Sequence, residues 1–432
     1  MSNIKFVRGK EILDSRGNPT VYAEVLLEDG TRNGASVPSG ASTGENEAWE
    51  LRDGDPKRFN GKGVLQAVAN INGPLNDAVV GLDANDQRTV DAAMIDADAT
   101  GNKSRYGANA MLAISMAVLR ASSRSQGEWL YDLVADHIGN EDKYILPVPM
   151  LNIFNGGAHA AGSTEFQEFM VMPAGVESLS EALRAGSEIY QALGKLLQSE
   201  GLSTSVGFEG GFAPVGLTNR QALGYVTHAI ESAGYLPGEE IFIALDPAAS
   251  EFYVPEVKRY SMKREGLRLN AQMMADEYDA FCAEYPICSV EDGLAENDWE
   301  GWQILTEAIG DRVQLVGDDL FVTQTAFLER GINEKAANAI LIKPNQVGTV
   351  TETLDTIRRA READFGVVVS HRSGETEDTT IADISVGSAC GQIKAGAPAR
   401  SERVAKYNRL LRIEDWAGDK GRYAGMSVIK TA

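Results

Sequence analysis

The chain has 432 residues, 43% apolar and 24% charged, which is enough for a sizeable core and argues against disorder, collagen or coiled coil. Forty Lys and Arg against 62 Asp and Glu leave a formal charge of −22, a surface that repels phosphate backbones and acidic lipid heads, so neither nucleic acid nor a membrane is expected as a partner. Three cysteines without a CxxC pair (Cys282, Cys288, Cys390) argue against a disulfide framework or a Cys-rich zinc site, and Met1–Lys10 has no apolar signal core, so a cytoplasmic location is expected.

Residues 1–138 read as an α+β unit. Val21, Ala23, Val25 and Leu27 alternate with Tyr22, Glu24 and Leu26, the pattern of a strand with one better-buried face, and Asp29-Gly30 then reads as a hairpin turn. A Gly- and Ser-rich loop follows at 37–44, and residues 106–124 are the clearest helix. Its apolar stretch 110–119 is about half a membrane span. From 139 to 432 the texture changes. Strands are expected at 148–154, 166–172, 241–246, 287–292, 313–318, 339–343, 366–371 and 391–394. Helices are expected at 178–200, 219–234, 270–285, 297–309, 323–331, 349–362, 378–388 and 400–413. Two strands and two helices followed by six strand–helix pairs predict an α/β fold: a closed (β/α)8 barrel with ββαα(βα)6 order and parallel pairing, preceded by the smaller domain.

The last six predicted strands end at Asp246, Glu291, Asp318, Lys343, His371 and Lys394, spaced 45, 27, 25, 28 and 23 residues apart, one strand–helix unit each. One ionisable residue at a strand end is ordinarily a loop-facing charge. A barrel, however, brings all such ends to the face where barrel enzymes do their chemistry. Three converging carboxylates need a counter-charge, and oxygen ligands without Cys suit a hard cation, magnesium before manganese or calcium. The bland alternative is that the acids simply pair with Lys343 and Lys394. A lysine near a divalent metal and a second lysine has its pKa pushed down and can serve as a base, which points to proton abstraction α to a carboxylate. Glu168 lies on the second strand. Glu209 sits in a Gly-rich loop between the first two barrel helices and His159 in the Asn155-Gly-Gly-Ala-His loop; each is, taken singly, a surface residue by default.

These residues together resemble the enolase family. The likeness runs through Glu11-Ile-Leu-Asp-Ser-Arg-Gly-Asn-Pro-Thr20, the loop 37–44, Gln167-Glu-Phe-Met170, Val316-Gly-Asp-Asp-Leu320, Leu341-Ile-Lys-Pro-Asn-Gln346, Ser370-His-Arg-Ser-Gly-Glu375 and Lys394-Ala-Gly-Ala-Pro-Ala-Arg400. The resemblance implies dehydration of 2-phosphoglycerate to phosphoenolpyruvate. It makes Lys343 the base at C2, and Glu209, assisted by Glu168, the acid at the C3 hydroxyl. Asp246, Glu291 and Asp318 become ligands of a first Mg2+, and Ser39 helps hold a second. Arg372 and Ser373 would contact phosphate, Lys394 the carboxylate, with His159 closing over the substrate and His371 beside it. A homodimer or larger ring is implied too.

Four positions depart from the family pattern: Phe208 stands for Asp before the acid glutamate, Val215 for Asn, Gly293 for Pro, and Ala160-Ala-Gly-Ser163 lacks an Asn. The sequence therefore keeps three readings open. They are 2-phosphoglycerate dehydration, the same enolate chemistry on a phosphono carboxylate (similar to carboxyphosphonoenolpyruvate synthase), and a non-catalytic binding protein on the same scaffold.

Overall fold

The structure, a computed structural model, describes residues 2–40, 44–140 and 144–430; part of the expected 37–44 loop lies outside them. An antiparallel meander opens the chain, Ile4–Leu13, Pro19–Leu27 and Arg32–Ser36 in that spatial order. Val21, Ala23, Val25 and Leu27 are fully buried while Tyr22, Glu24 and Leu26 are only partly covered, as the alternation requires. The turn closes with Gly30 at φ +90°, a conformation a side chain would strain. Helix Ala108–Gln126 packs on this sheet and is buried along nearly its whole length. Its apolar stretch is thus explained as core, and no helix among the described residues is long and apolar enough to cross a membrane.

Eight strands then close a barrel: Val148–Asn155, Glu168–Met172, Phe242–Asp246, Ile287–Glu291, Gln314–Gly317, Ala339–Ile342, Gly366–Ser370 and Gly391–Lys394. Pairing is parallel through the alternating strand–helix units, and the ββαα opening departs from it at one strand. The second strand runs antiparallel to both neighbours, because no crossover helix separates it from the first. Reversal has a chemical consequence. It puts the start of that strand level with the ends of the others, so Glu168 pairs directly with Asp246 in the register. The barrel interior below this level is solid, filled by Met150, Met170, Ala244, Val316, Leu341 and Val368 among others.

The helices follow their sequence signals closely. Leu179–Ser199, Ala271–Glu284, Trp299–Ile309 and Val350–Glu362 start behind Ser178, Asn270, Asp298 and Thr349, each accepting a backbone N–H of the first turn. Asn219–Ser232 carries a full capping box, Thr218 with Gln221. Thr325–Glu334, Thr380–Gly387 and Ser401–Ala417 complete the ring. A short antiparallel sheet, Tyr253–Val254, Arg259–Met262 and Leu267–Leu269, interrupts the third strand–helix unit; no strand is expected there from the sequence.

Candidate active site

The polar cleft at the barrel's C-terminal face brings together His159, Glu168, Glu209, Asp246, Asp318, Lys343, His371, Arg372, Ser373 and Lys394. Glu291 is fully buried beside them. One half of the cleft stands on strand ends. The Lys394 ammonium lies 3.0 Å from Asp246, 2.8 Å from Glu291 and 3.3 Å from Glu168. Lys343 forms a short ion pair with Asp318, whose other oxygen accepts from the Gln346 amide at 3.0 Å. Lysine–carboxylate pairing, the bland alternative, is therefore present in the unliganded site.

Pairing does not balance the charge. One ammonium serves three buried carboxylates, and Glu291 is held well above the ordinary carboxylate range by burial and by the Asp246 charge. Its Oε1 is buried with no hydrogen-bond partner. Beside it, oxygens of Asp292, Asp318 and Asp319 lie within 4.8 Å of one another. Burial and the Asp318 charge push Asp319 up to about 8. An all-oxygen site with surplus negative charge and an orphaned carboxylate oxygen fits a hard divalent cation. Burial alone would lower the pKa of Lys343, but the Asp318 carboxylate outweighs this and the net shift is upward.

The other half of the cleft stands on loops. Glu209 comes from the turn between helices Leu179–Ser199 and Asn219–Ser232. Gly210 there has φ +93°, and a Cβ on it would sit 2.9 Å from Ala397. Glu209 Oε2 accepts from the Asn152 amide at 3.1 Å and lies 3.2 Å from His371 Nε2. His159 is not a surface residue. It is buried, with Nδ1 3.6 Å from Glu168 and 3.8 Å from Glu209. Burial and the facing Glu209 charge raise Glu168 well above its ordinary value. For Glu209 burial works in the same direction, yet His371, His159 and Arg403 carry the net shift well below. The environment thus pushes the two carboxyl groups apart, Glu168 up and Glu209 down, as an acid pair requires.

The N-terminal domain reaches over this cleft. Glu47 grips Arg372 with both oxygens, at 2.9 and 3.0 Å. Ser39 pairs through its backbone with Gly374 at 2.8 and 2.9 Å, while its hydroxyl accepts from Arg52 at 2.8 Å and bonds Glu50 at 3.2 Å.

Comparison with known proteins decides the family. Residues 4–134 match the family described as enolase, N-terminal domain, and residues 143–432 that described as enolase, C-terminal TIM barrel domain. The chain is also 56% identical over 426 residues to a protein named enolase from Rubrobacter xylanophilus, covering 99% of this chain and 98% of that one.

The chain belongs to the enolase family. It is an enolase-type lyase. Ten of the twelve expected site residues line the cleft, while Glu291 lies behind Lys394 and Ser39 bonds the backbone of Gly374. Sequence reasoning missed Asp292 and Asp319, the second members of the Glu291-Asp292 and Asp318-Asp319 doublets. Asp292 accepts the backbone N–H groups of Asp318 and Asp319 at 2.9 and 3.0 Å. It also missed Glu47, Gln346 and Arg403, whose partners are hundreds of residues away or deep in a loop. Of the departures from the enolase pattern, Phe208 is 41% and Val215 62% exposed, and neither they nor Gly293 line the cleft.

Proposed function

We propose that this protein is a magnesium-dependent 2-phosphoglycerate dehydratase, acting in the cytoplasm as a homodimer or larger ring, with a capping unit at 1–138 and a catalytic barrel at 139–432. The observation that carries this reading is the division of the cleft into a lysine–carboxylate half and a half holding the Glu168–Glu209 acid pair. Together they supply a base and an acid on opposite sides of one bound substrate.

Lys343 takes the C2 proton at Nζ. It must first be released from Asp318, and Asp318 is one of three carboxylates, with Asp246 and Glu291, assigned here to the metal. Asp246, Glu291 and Asp318 would hold one magnesium ion and Ser39 would help hold a second; bound there, the ions would supply positive charge that makes the C2 proton more acidic. Lys394 holds the carboxylate from the opposite side. Arg372 and Ser373 hold the phosphate, Arg372 exchanging its Glu47 partner for an anion of matching fork geometry. Glu209, assisted by Glu168, gives a proton to the C3 hydroxyl as the C–O bond breaks, and water leaves. Buried His159 covers the pair and excludes bulk water.

Phe208, Val215 and Gly293 keep the phosphono-carboxylate reading in view as the alternative, and the Phe208 ring lies edge-on to His159 of the cleft, 6.4 Å between centroids. The test is formation of phosphoenolpyruvate from 2-phosphoglycerate and magnesium, followed by ultraviolet absorbance. Robust turnover is expected. An inert enzyme that turns over a phosphono carboxylate would replace this reading by the alternative.

A further inference from the structure

Arg403 is fully buried in the first turn of helix Ser401–Ala417, and among the described residues its carboxylate contact is a single one, Nε to Glu402 at 3.5 Å. Its Nη1 donates to the Arg372 carbonyl at 2.6 Å and lies 2.6 Å from Nδ1 of His371. Its Nη2 donates to the Ser373 carbonyl at 2.6 Å and to the Phe208 carbonyl at 3.2 Å. A guanidinium has donors only. The imidazole nitrogen it faces must therefore be the acceptor, and the ring proton must reside on Nε2, which is buried 3.2 Å from Glu209 Oε2 but outside hydrogen-bond geometry.

We propose that Arg403 is a positioning residue that fixes His371 in its Nε2–H tautomer, beside Glu209, and that ties the Phe208-Glu209 loop to the His371–Ser373 loop. This rests on the function proposed above. It adds to it a reason why the acid half, built on two loops far apart in sequence, keeps one geometry. The side chain of Phe208 can depart from the enolase pattern without loosening that geometry, because Arg403 uses only its carbonyl.

Histidine-labelled protein tests this directly, since the chain has only four histidines and the His371 signals are identified by their loss in His371→Gln. Long-range proton–nitrogen NMR of the wild type is expected to give a pyridine-type Nδ1 and a pyrrole-type Nε2 at His371. Arg403→Met should reverse or mix the tautomers. A wild-type His371 carrying its proton on Nδ1 overturns the proposal.

Arg403→Lys keeps the charge and loses the fork, and it serves where Arg403→Met fails to fold. It should slow elimination at least about tenfold at little change in KM, as loss of an outer orienting group does, while solvent exchange of the C2 proton stays within about twofold. Equal slowing of both steps means a general structural role and also overturns the proposal. If the wild type makes no phosphoenolpyruvate, the functional reading fails, and the histidine spectrum still decides this inference.

Discussion

The two halves of the cleft are built differently. Lys343, Asp246, Glu291, Asp318 and Lys394 stand at the ends of parallel strands, where the barrel ladder fixes each backbone, and their charges meet as lysine–carboxylate pairs. Glu209, His159, His371 and the reversed Glu168 come from loops or from a strand entering the other way. There the carboxylates face histidines, and Lys394 reaches only Glu168 from the other half. Strand ends give precise placement at the cost of strong ion pairs that must open. Loops give an acid pair at the cost of needing a clamp such as Arg403.

The difference can be broken from either side. Lys343→Ala should lower turnover by about 10²–10⁴-fold, the usual contribution of a positioned general base, and should also stop C2 exchange. An exchange rate unchanged in that variant, measured by proton NMR in heavy water, would move the base elsewhere. Glu209→Gln should cost turnover comparably while sparing exchange. Lys394→Met leaves Glu168, Asp246 and Glu291 without their shared cation. It should destabilise the unliganded protein by about 3–5 kcal/mol, read from denaturant unfolding. Added magnesium should recover part of that loss, and no recovery would count against the proposed ligand set.

The smallest effect concerns pH. Burial lowers the His371 pKa from 6.5 to about 4, against the opposing pull of the Glu209 charge. Over that window the unfolded chain takes up a proton that the folded chain refuses. The His371 contribution is therefore intact above about 6.5 and is lost as pH falls toward 4. Melting temperature against pH should be flatter in His371→Gln over this range. An unchanged slope would mean His371 is not held neutral.

The strand-end half was the more legible in sequence. Each of its charges closes a short run buried on both faces, so the end of the run points straight at it, and the strand at Gly391–Lys394 matches its expected bounds. The loop half was legible only through the family resemblance, since Glu209 and His159 look like solvated loop residues until the fold buries them. The reversal of the second strand was hidden because a short strand carries no direction in its composition. Strand Ile4–Leu13 was missed because a register shift between Ile4 and Phe6 breaks its alternation. The downward Lys343 shift belongs to a site holding a divalent metal; with Asp318 as its neighbour the shift is upward.

Solvent exchange at C2 in Glu209→Gln bears most directly on the separation of base and acid. With 2-phosphoglycerate and magnesium in heavy water, the C2 proton signal should decay while no phosphoenolpyruvate forms. A C2 signal that persists undiminished in that variant would show that the two halves do not act as separate proton-transfer devices.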